Sequence, residues 1–176
     1  MKCLLVLKGL PGSGKSTLGR ALAQKLGWAL VDKDDIKDII DGHSDGAGRL
    51  AYEVMFNIAR RQLRVGNSAI CDSPLTYEEL YRQACRLARE EDASLAVVEC
   101  VCPDVQEWQR RIEGRKELDL PEHHQTDWLR LQEYLASVEG KPDYSIDAPM
   151  LVLDSTRPLG ILVQEVQAWV QGWGAG

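Results

Sequence analysis

Residues 3–17 read Cys-Leu-Leu-Val-Leu-Lys-Gly-Leu-Pro-Gly-Ser-Gly-Lys-Ser-Thr. The apolar run Leu4 to Leu7 stops at Gly9-Leu10-Pro11-Gly12-Ser13-Gly14-Lys15-Ser16, which follows the pattern glycine, four free positions, glycine, lysine, then serine or threonine. Backbone N–H groups can converge on phosphate oxygens only where no Cβ intervenes and a positive φ costs little, which is the freedom the three glycines supply. A helix opening near Lys15 turns its unpaired N–H groups and positive end toward the same anion. The stretch therefore predicts a phosphate cradle made of Gly9, Pro11, Gly12, Ser13, Gly14, Lys15, Ser16 and Thr17. Lys15 is expected to carry charge to the β- and γ-phosphates, and the Ser16 hydroxyl to hold Mg²⁺.

Outward from that stretch, apolar runs of strand length alternate with longer stretches of helical period, which predicts parallel strands joined by crossover helices. The expected strands are residues 2–8, 28–31, 68–71, 94–101 and 150–153, with helices over 16–26, 49–65, 77–91, 104–112, 128–138 and 159–169. Helix 49–65 is expected to bury Leu50, Val54 and Ile58 together with Met55, Ala59 and Leu63. At 176 residues, with 44% apolar and 27% charged residues, the chain has the size and composition of one globular domain over residues 1–176.

The formal net charge of −6 weighs against broad binding to nucleic acid, although arginines gather at Arg60, Arg61 and Arg64. Five cysteines, four of them in or beside apolar runs, fit buried thiols in a reducing cytosol. The first strand begins at the N-terminus and no apolar run reaches the length of a membrane span, so a cytoplasmic protein is expected.

Three further clusters follow the predicted strands. Asp32-Lys33-Asp34-Asp35-Ile36-Lys37-Asp38 lies where the second strand ends, the place at which open α/β sheets form their ligand crevice. Spacing alone leaves Asp32 and Asp34 as alternatives for the residue facing a substrate, while an acidic helix start uses the same residues. Asp72, just past the third strand, is a candidate to orient Mg²⁺. Arg111 and Arg115, one helical turn apart, could both close on a transferring phosphate. Residues 118–126, with Pro121, His123 and His124, read as an exposed flap, and residues 41–48, with His43, as a flexible connector.

With these pieces in order, the chain resembles the small P-loop kinases grouped around zeta toxins and the kinase domain of phage polynucleotide kinase. The resemblance rests on the glycine loop, on the segment Val31 to Lys37, on Asp72, and on the Arg-x-x-x-Arg pair Arg111 and Arg115. It implies a three-layer α/β/α fold with a five-stranded parallel sheet of order 2-3-1-4-5 and a helical lid over about residues 111–127. It implies that Asp34 acts as base toward a substrate hydroxyl, that Asp32, Asp35 and Lys37 sit on the substrate side, and that Arg111 and Arg115 contact nucleotide and transition state. It also places residues 154–157, including Arg157, near the adenine. The expected activity is transfer of the γ-phosphate of ATP, with Mg²⁺, to the hydroxyl of a small molecule. The alternatives are a 5′-hydroxyl polynucleotide kinase, whose acceptor groove the arginines of helix 49–65 would line, and a nucleotide-binding switch without an acceptor.

Overall fold

The computed structural model describes residues 1–40, 46–115, 127–138 and 144–172. In chain order the elements are β1 (Cys3–Lys8), α1 (Lys15–Leu26), β2 (Ala29–Asp32), α2 (Lys33–Ile40), α3 (Ala47–Arg64), β3 (Ala69–Asp72), α4 (Glu78–Glu90), β4 (Ser94–Val101), α5 (Val105–Gly114), α6 (Trp128–Val138), β5 (Met150–Asp154) and α7 (Leu159–Gly172). All strand pairs are parallel and the sheet order is β2-β3-β1-β4-β5, as the resemblance implied.

The central strand explains why its sequence is uniformly apolar. Alternate residues of β1 point to opposite faces of the sheet, and both faces are covered. Leu4 and Val6 pack with Met55 and Leu63 of α3 and Leu87 of α4, whereas Leu5 and Leu7 pack with Leu18 and Leu22 of α1 and Val166 of α7. The sheet is thus the middle of three layers. Helix α1 ends where Gly27 adopts φ 68° and its N–H donates to the Ala23 carbonyl.

One reading of a helix face is corrected. In α3 the stripe Met55, Ala59 and Leu63 is buried, but Leu50 and Ile58 are 37% and 40% exposed. A helix carrying two neighbouring apolar stripes turns only one toward the sheet, and here Ala47 and Ala51 extend the buried one. The charged cluster runs from Asp32, the last residue of β2, into the helix α2, the acidic helix start that the sequence pattern allowed beside a substrate-facing role. The polynucleotide reading also loses its groove. Arg60 and Arg64 lie in the last turns of α3, leading to the start of β3, while ligand crevices form at strand ends. There Arg60 donates to Glu90 at 2.8 Å and Arg64 to Glu91 at 3.0 Å.

The flap over residues 118–126 and most of the connector with His43 lie outside the described residues. Among the described residues, no helix is long and apolar enough to cross a membrane.

Candidate active site

The strand ends of β1, β2 and β3 converge on Lys15. Between β1 and α1 the chain turns three times through positive φ, at Gly9 (140°), Gly12 (79°) and Gly14 (91°). Two of these positions are also closed to a side chain by contact. A Cβ on Gly9 would stand 2.5 Å from the Cys100 carbonyl oxygen, and one on Gly12 would stand 2.7 Å from Ile112 and 3.0 Å from Trp108. Helix α5 therefore presses directly on the loop, and the Trp108 indole N–H donates to the Pro11 carbonyl at 2.8 Å. Loop hydrogen bonds run from Ser13 N–H to the Leu10 carbonyl and from Gly9 N–H to the Pro74 carbonyl.

Lys15 is buried, and its Nζ donates to the Leu10 carbonyl at 3.1 Å. Burial pulls its pKa below the ordinary lysine value, with Asp72 and Asp34 opposing that and Arg115 adding to it. Residues 15, 34, 72 and 115, far apart in sequence, are thus close enough to act on one charge. Asp72 is buried and its carboxyl is pushed up by desolvation, against the pull of Lys15 and a hydrogen bond from Ser16. Its Oδ2 has no hydrogen-bond partner among the described residues. A buried, unpartnered carboxylate oxygen beside a serine hydroxyl is a donor set suited to a hard divalent cation, so Ser16 and Asp72 fit Mg²⁺.

The acidic cluster divides its residues. In the β2–β3 register Asp32 stands opposite Asp72. Burial first, then the Asp72 charge, raises the Asp32 carboxyl to about 7, although the Asp34 N–H donating to Asp32 Oδ1 at 2.8 Å works the other way. Asp34 forms an ion pair with buried Lys33. The Lys33 ammonium also sits 5.7 Å from the ring centre of Tyr52 on α3. Asp35 is exposed and Lys37 half-buried, both on α2.

On the other flank a cavity of about 680 Å³ brings Gly14, Ser16, Thr17 and Arg20 together with Arg111, Arg115 and residues 155–157. Arg111 lies near the end of α5, and Arg115 follows directly after that helix. The Arg111 guanidinium donates to Glu107 at 2.7 Å and to Ser155 Oγ and O at 2.8 and 2.9 Å, which holds it beside Gly14. Its approach to a transferring phosphate would exchange those bonds. Arg157, expected near the base, lines the same cavity and pairs with Glu165 at 2.8 Å.

The sequence reading missed Trp108, Lys33 and Tyr52. Trp108 stands four residues after Asp104, whose side chain caps α5 through the N–H groups of Gln106 and Glu107. An aromatic residue in the first turns of a helix following β4 was the available signal. Lys33 was visible inside the acidic cluster, but its burial depends on α3.

Residues 4–139 match the AAA domain family. Among curated proteins, shikimate kinase from Corynebacterium glutamicum is 50% identical over 44 residues, 25% of this chain and 26% of that protein. Shikimate kinase from Mycobacterium tuberculosis is 69% identical over 29 residues, 16% of each chain. The matches span about a quarter or less of those relatives. Among solved structures, a kinase-like protein from Chloroflexus aurantiacus superposes with TM-score 0.75 at 24% identity, over 95% of this chain and 97% of that one. APS kinase from Mycobacterium tuberculosis, in complex with AMPPNP and APS, gives 0.68 at 18% identity over 97% and 98%. These structural likenesses establish a shared fold.

Proposed function

The chain belongs to the AAA domain family, and from that premise we propose that it is an ATP-dependent kinase transferring the γ-phosphate to a hydroxyl of a small molecule. The supporting observation is the convergence of Lys15, Asp34 and Asp72 at adjoining strand ends, each acting on the others' charge. We read residues 1–176 as one kinase domain, with residues 111–127 as its lid.

In this reading the amides of residues 9–16 and the Lys15 ammonium hold the β- and γ-phosphates. Ser16 and Asp72 would hold Mg²⁺, which when bound neutralises charge on the phosphate oxygens. Residues 155–157 border the base, with Arg157 and Thr17 on that side. Asp34 receives the proton of the acceptor hydroxyl as its oxygen bonds to the γ-phosphorus and the bond to the bridging oxygen of ADP breaks. Its ion pair with Lys33 holds the Asp34 carboxylate turned to one side. In a loose transition state the proton leaves late, so placement of that carboxylate outweighs its basicity. Asp32, Asp35 and Lys37 border the reacting hydroxyl of the acceptor, and Arg111 and Arg115 take up charge on the transferring group as water is excluded. The kinship with zeta toxins and polynucleotide kinase is kept for this catalytic plan only. The pairing of Arg60 and Arg64 with Glu90 and Glu91 favours a small-molecule acceptor over an oligonucleotide.

Purified protein incubated with γ-labelled ATP, Mg²⁺ and pooled hydroxyl metabolites, beside a 5′-hydroxyl oligonucleotide, tests the reading. Label should move to a small molecule. Transfer should vanish in Asp34→Asn with ATP binding retained, whereas Lys15→Ala should lose both. Equal loss of nucleotide binding in the two variants would overturn the assignment of Asp34.

A further inference from the structure

A second cavity, of about 490 Å³, lies against the glycine loop and contains neither Ser16 nor the arginines of the nucleotide flank among its described lining residues. Its position follows from the topology. Strand β1 hands the chain to α1 on one face of the sheet, while β3 hands it to α4 on the other, and the connections diverge above the end of β1. Lys8, the last residue of β1, continues the Leu4 and Val6 side of the strand into that gap.

The walls are carbon: Leu10 from the loop, Trp108 from α5, and Tyr134, Leu135 and Val138 from α6. Polar side chains interrupt them: Lys8 with Glu99, Ser13, Thr76 and the Tyr134 hydroxyl. Lys8 Nζ and Glu99 Oε1 form an ion pair at 2.5 Å, with side chains only 10% and 21% exposed. Ser13 Oγ, 2% exposed as a residue, has no hydrogen-bond partner among the described residues. A volume within the usual range for small-ligand sites, apolar walls and a few placed polar groups form the pattern of a specific pocket.

We propose that this cavity receives the body of the acceptor, and that the acceptor is a ring-sized apolar molecule. At one end it carries a hydrogen-bond donor that meets Glu99, and at the other a hydroxyl beside Ser13. A polyol does not fit, because each hydroxyl facing the carbon walls without a partner weakens binding about tenfold or more. The class of ligand follows from the cavity itself; that the ligand is the phosphate acceptor rests on the kinase reading above.

Equilibrium dialysis of the full chain with 2-naphthylmethanol, its methyl ether and inositol tests the proposal. Naphthylmethanol should bind saturably at one site, the ether about tenfold more weakly for want of a donor, and inositol not measurably. Leu135→Trp, which fills the cavity, should abolish naphthylmethanol binding while an ATP analogue binds as before; Val138→Phe serves if that variant does not fold. Replacing both charges of this pair together, Lys8→Met with Glu99→Leu, should erase the preference for alcohol over ether. Naphthylmethanol binding unchanged in Leu135→Trp, or inositol binding more tightly than naphthylmethanol, overturns the proposal. If phosphate is transferred to a polyol and Leu135→Trp does not slow it, the cavity assignment falls and the kinase reading stands. If naphthylmethanol binds as described but no hydroxyl compound accepts phosphate, the reverse holds.

Discussion

On the loop side of Lys15, residues 9–14 are fixed by backbone: three positive φ values, hydrogen bonds between main-chain groups, and a helix seated so closely that two of the glycines admit no Cβ. On the carboxylate side, Asp32, Asp34 and Asp72 are held by side chains whose charges oppose one another, with Lys33 and Lys15 between them. A triphosphate is the same for every substrate pair, so it is met by groups that mutation of a side chain cannot remove. In the proposed reading an acceptor hydroxyl varies, and Asp34, which would meet it, has its charge and reach set by its neighbours. The first region should therefore fail by geometry and the second by titration.

The largest break of this contrast is expected on the loop side. Gly12→Ala leaves every charge in place, yet its Cβ meets Ile112 and Trp108 at a φ of 79°. Nucleotide affinity should fall about 100-fold or more, comparable to removal of a preorganised donor, as read by titration with an ATP analogue. Near-normal affinity would mean that the loop is held by charge rather than by backbone. Next in size is Asp34→Asn, whose effect should lie in kcat, by about 10²–10³-fold for a lost general base, with nucleotide affinity within about threefold. Because the neutral amide leaves Lys33 buried without its ionic partner, Lys33→Met combined with Asp34→Asn should recover thermal stability but not transfer.

A smaller effect separates the regions by pH. The Asp32 carboxyl sits at about 7 in the folded chain, well above the roughly 3.9 of an unfolded aspartate. The folded form thus binds the proton more tightly than the unfolded form, and stability falls as pH rises between those two values. Asp32→Asn should stabilise the chain by about 1–2 kcal/mol at pH 8, the figure being reduced for the residue's partial exposure. The gain should shrink toward zero near pH 4, as followed by thermal melts without divalent cations. A gain that does not change with pH would place the effect in packing and not in the Asp32 charge.

The same contrast explains what could be read from the chain. Gly9 to Ser16 is legible because backbone recognition demands fixed residue types at fixed spacing, and the parallel sheet follows from the alternation of apolar runs with helices, whereas its order 2-3-1-4-5 was implied only by the family resemblance. The carboxylates could be placed at the strand end but not ranked, since Asp32 and Asp34 differ through Asp72 on β3 and through Lys33, whose place beside Tyr52 depends on α3. Arg111 and Arg115 were visible as a pair, yet the hold of Ser155 on Arg111 joins residues 44 apart. Leu50 and Ile58 were misread because periodicity finds stripes without showing which one the sheet covers.

Trp108→Phe probes where the two modes of construction meet. The substitution keeps the apolar wall that holds Gly12 in place and removes only the N–H donated to the Pro11 carbonyl. That hydrogen bond is part-buried, so its loss should cost about 1 kcal/mol, or roughly fivefold in nucleotide affinity. If the bond serves to hold the loop open before the nucleotide arrives, the loss should appear in the association rate; if it tightens the loaded loop, it should appear in dissociation. Stopped-flow mixing with a fluorescent ATP analogue distinguishes these. A loop fixed by its own φ angles and by contact with α5 is already open, so the change is expected in dissociation. A slowed association instead would mean that the glycine geometry alone does not hold the cradle, and that α5 takes part in forming it.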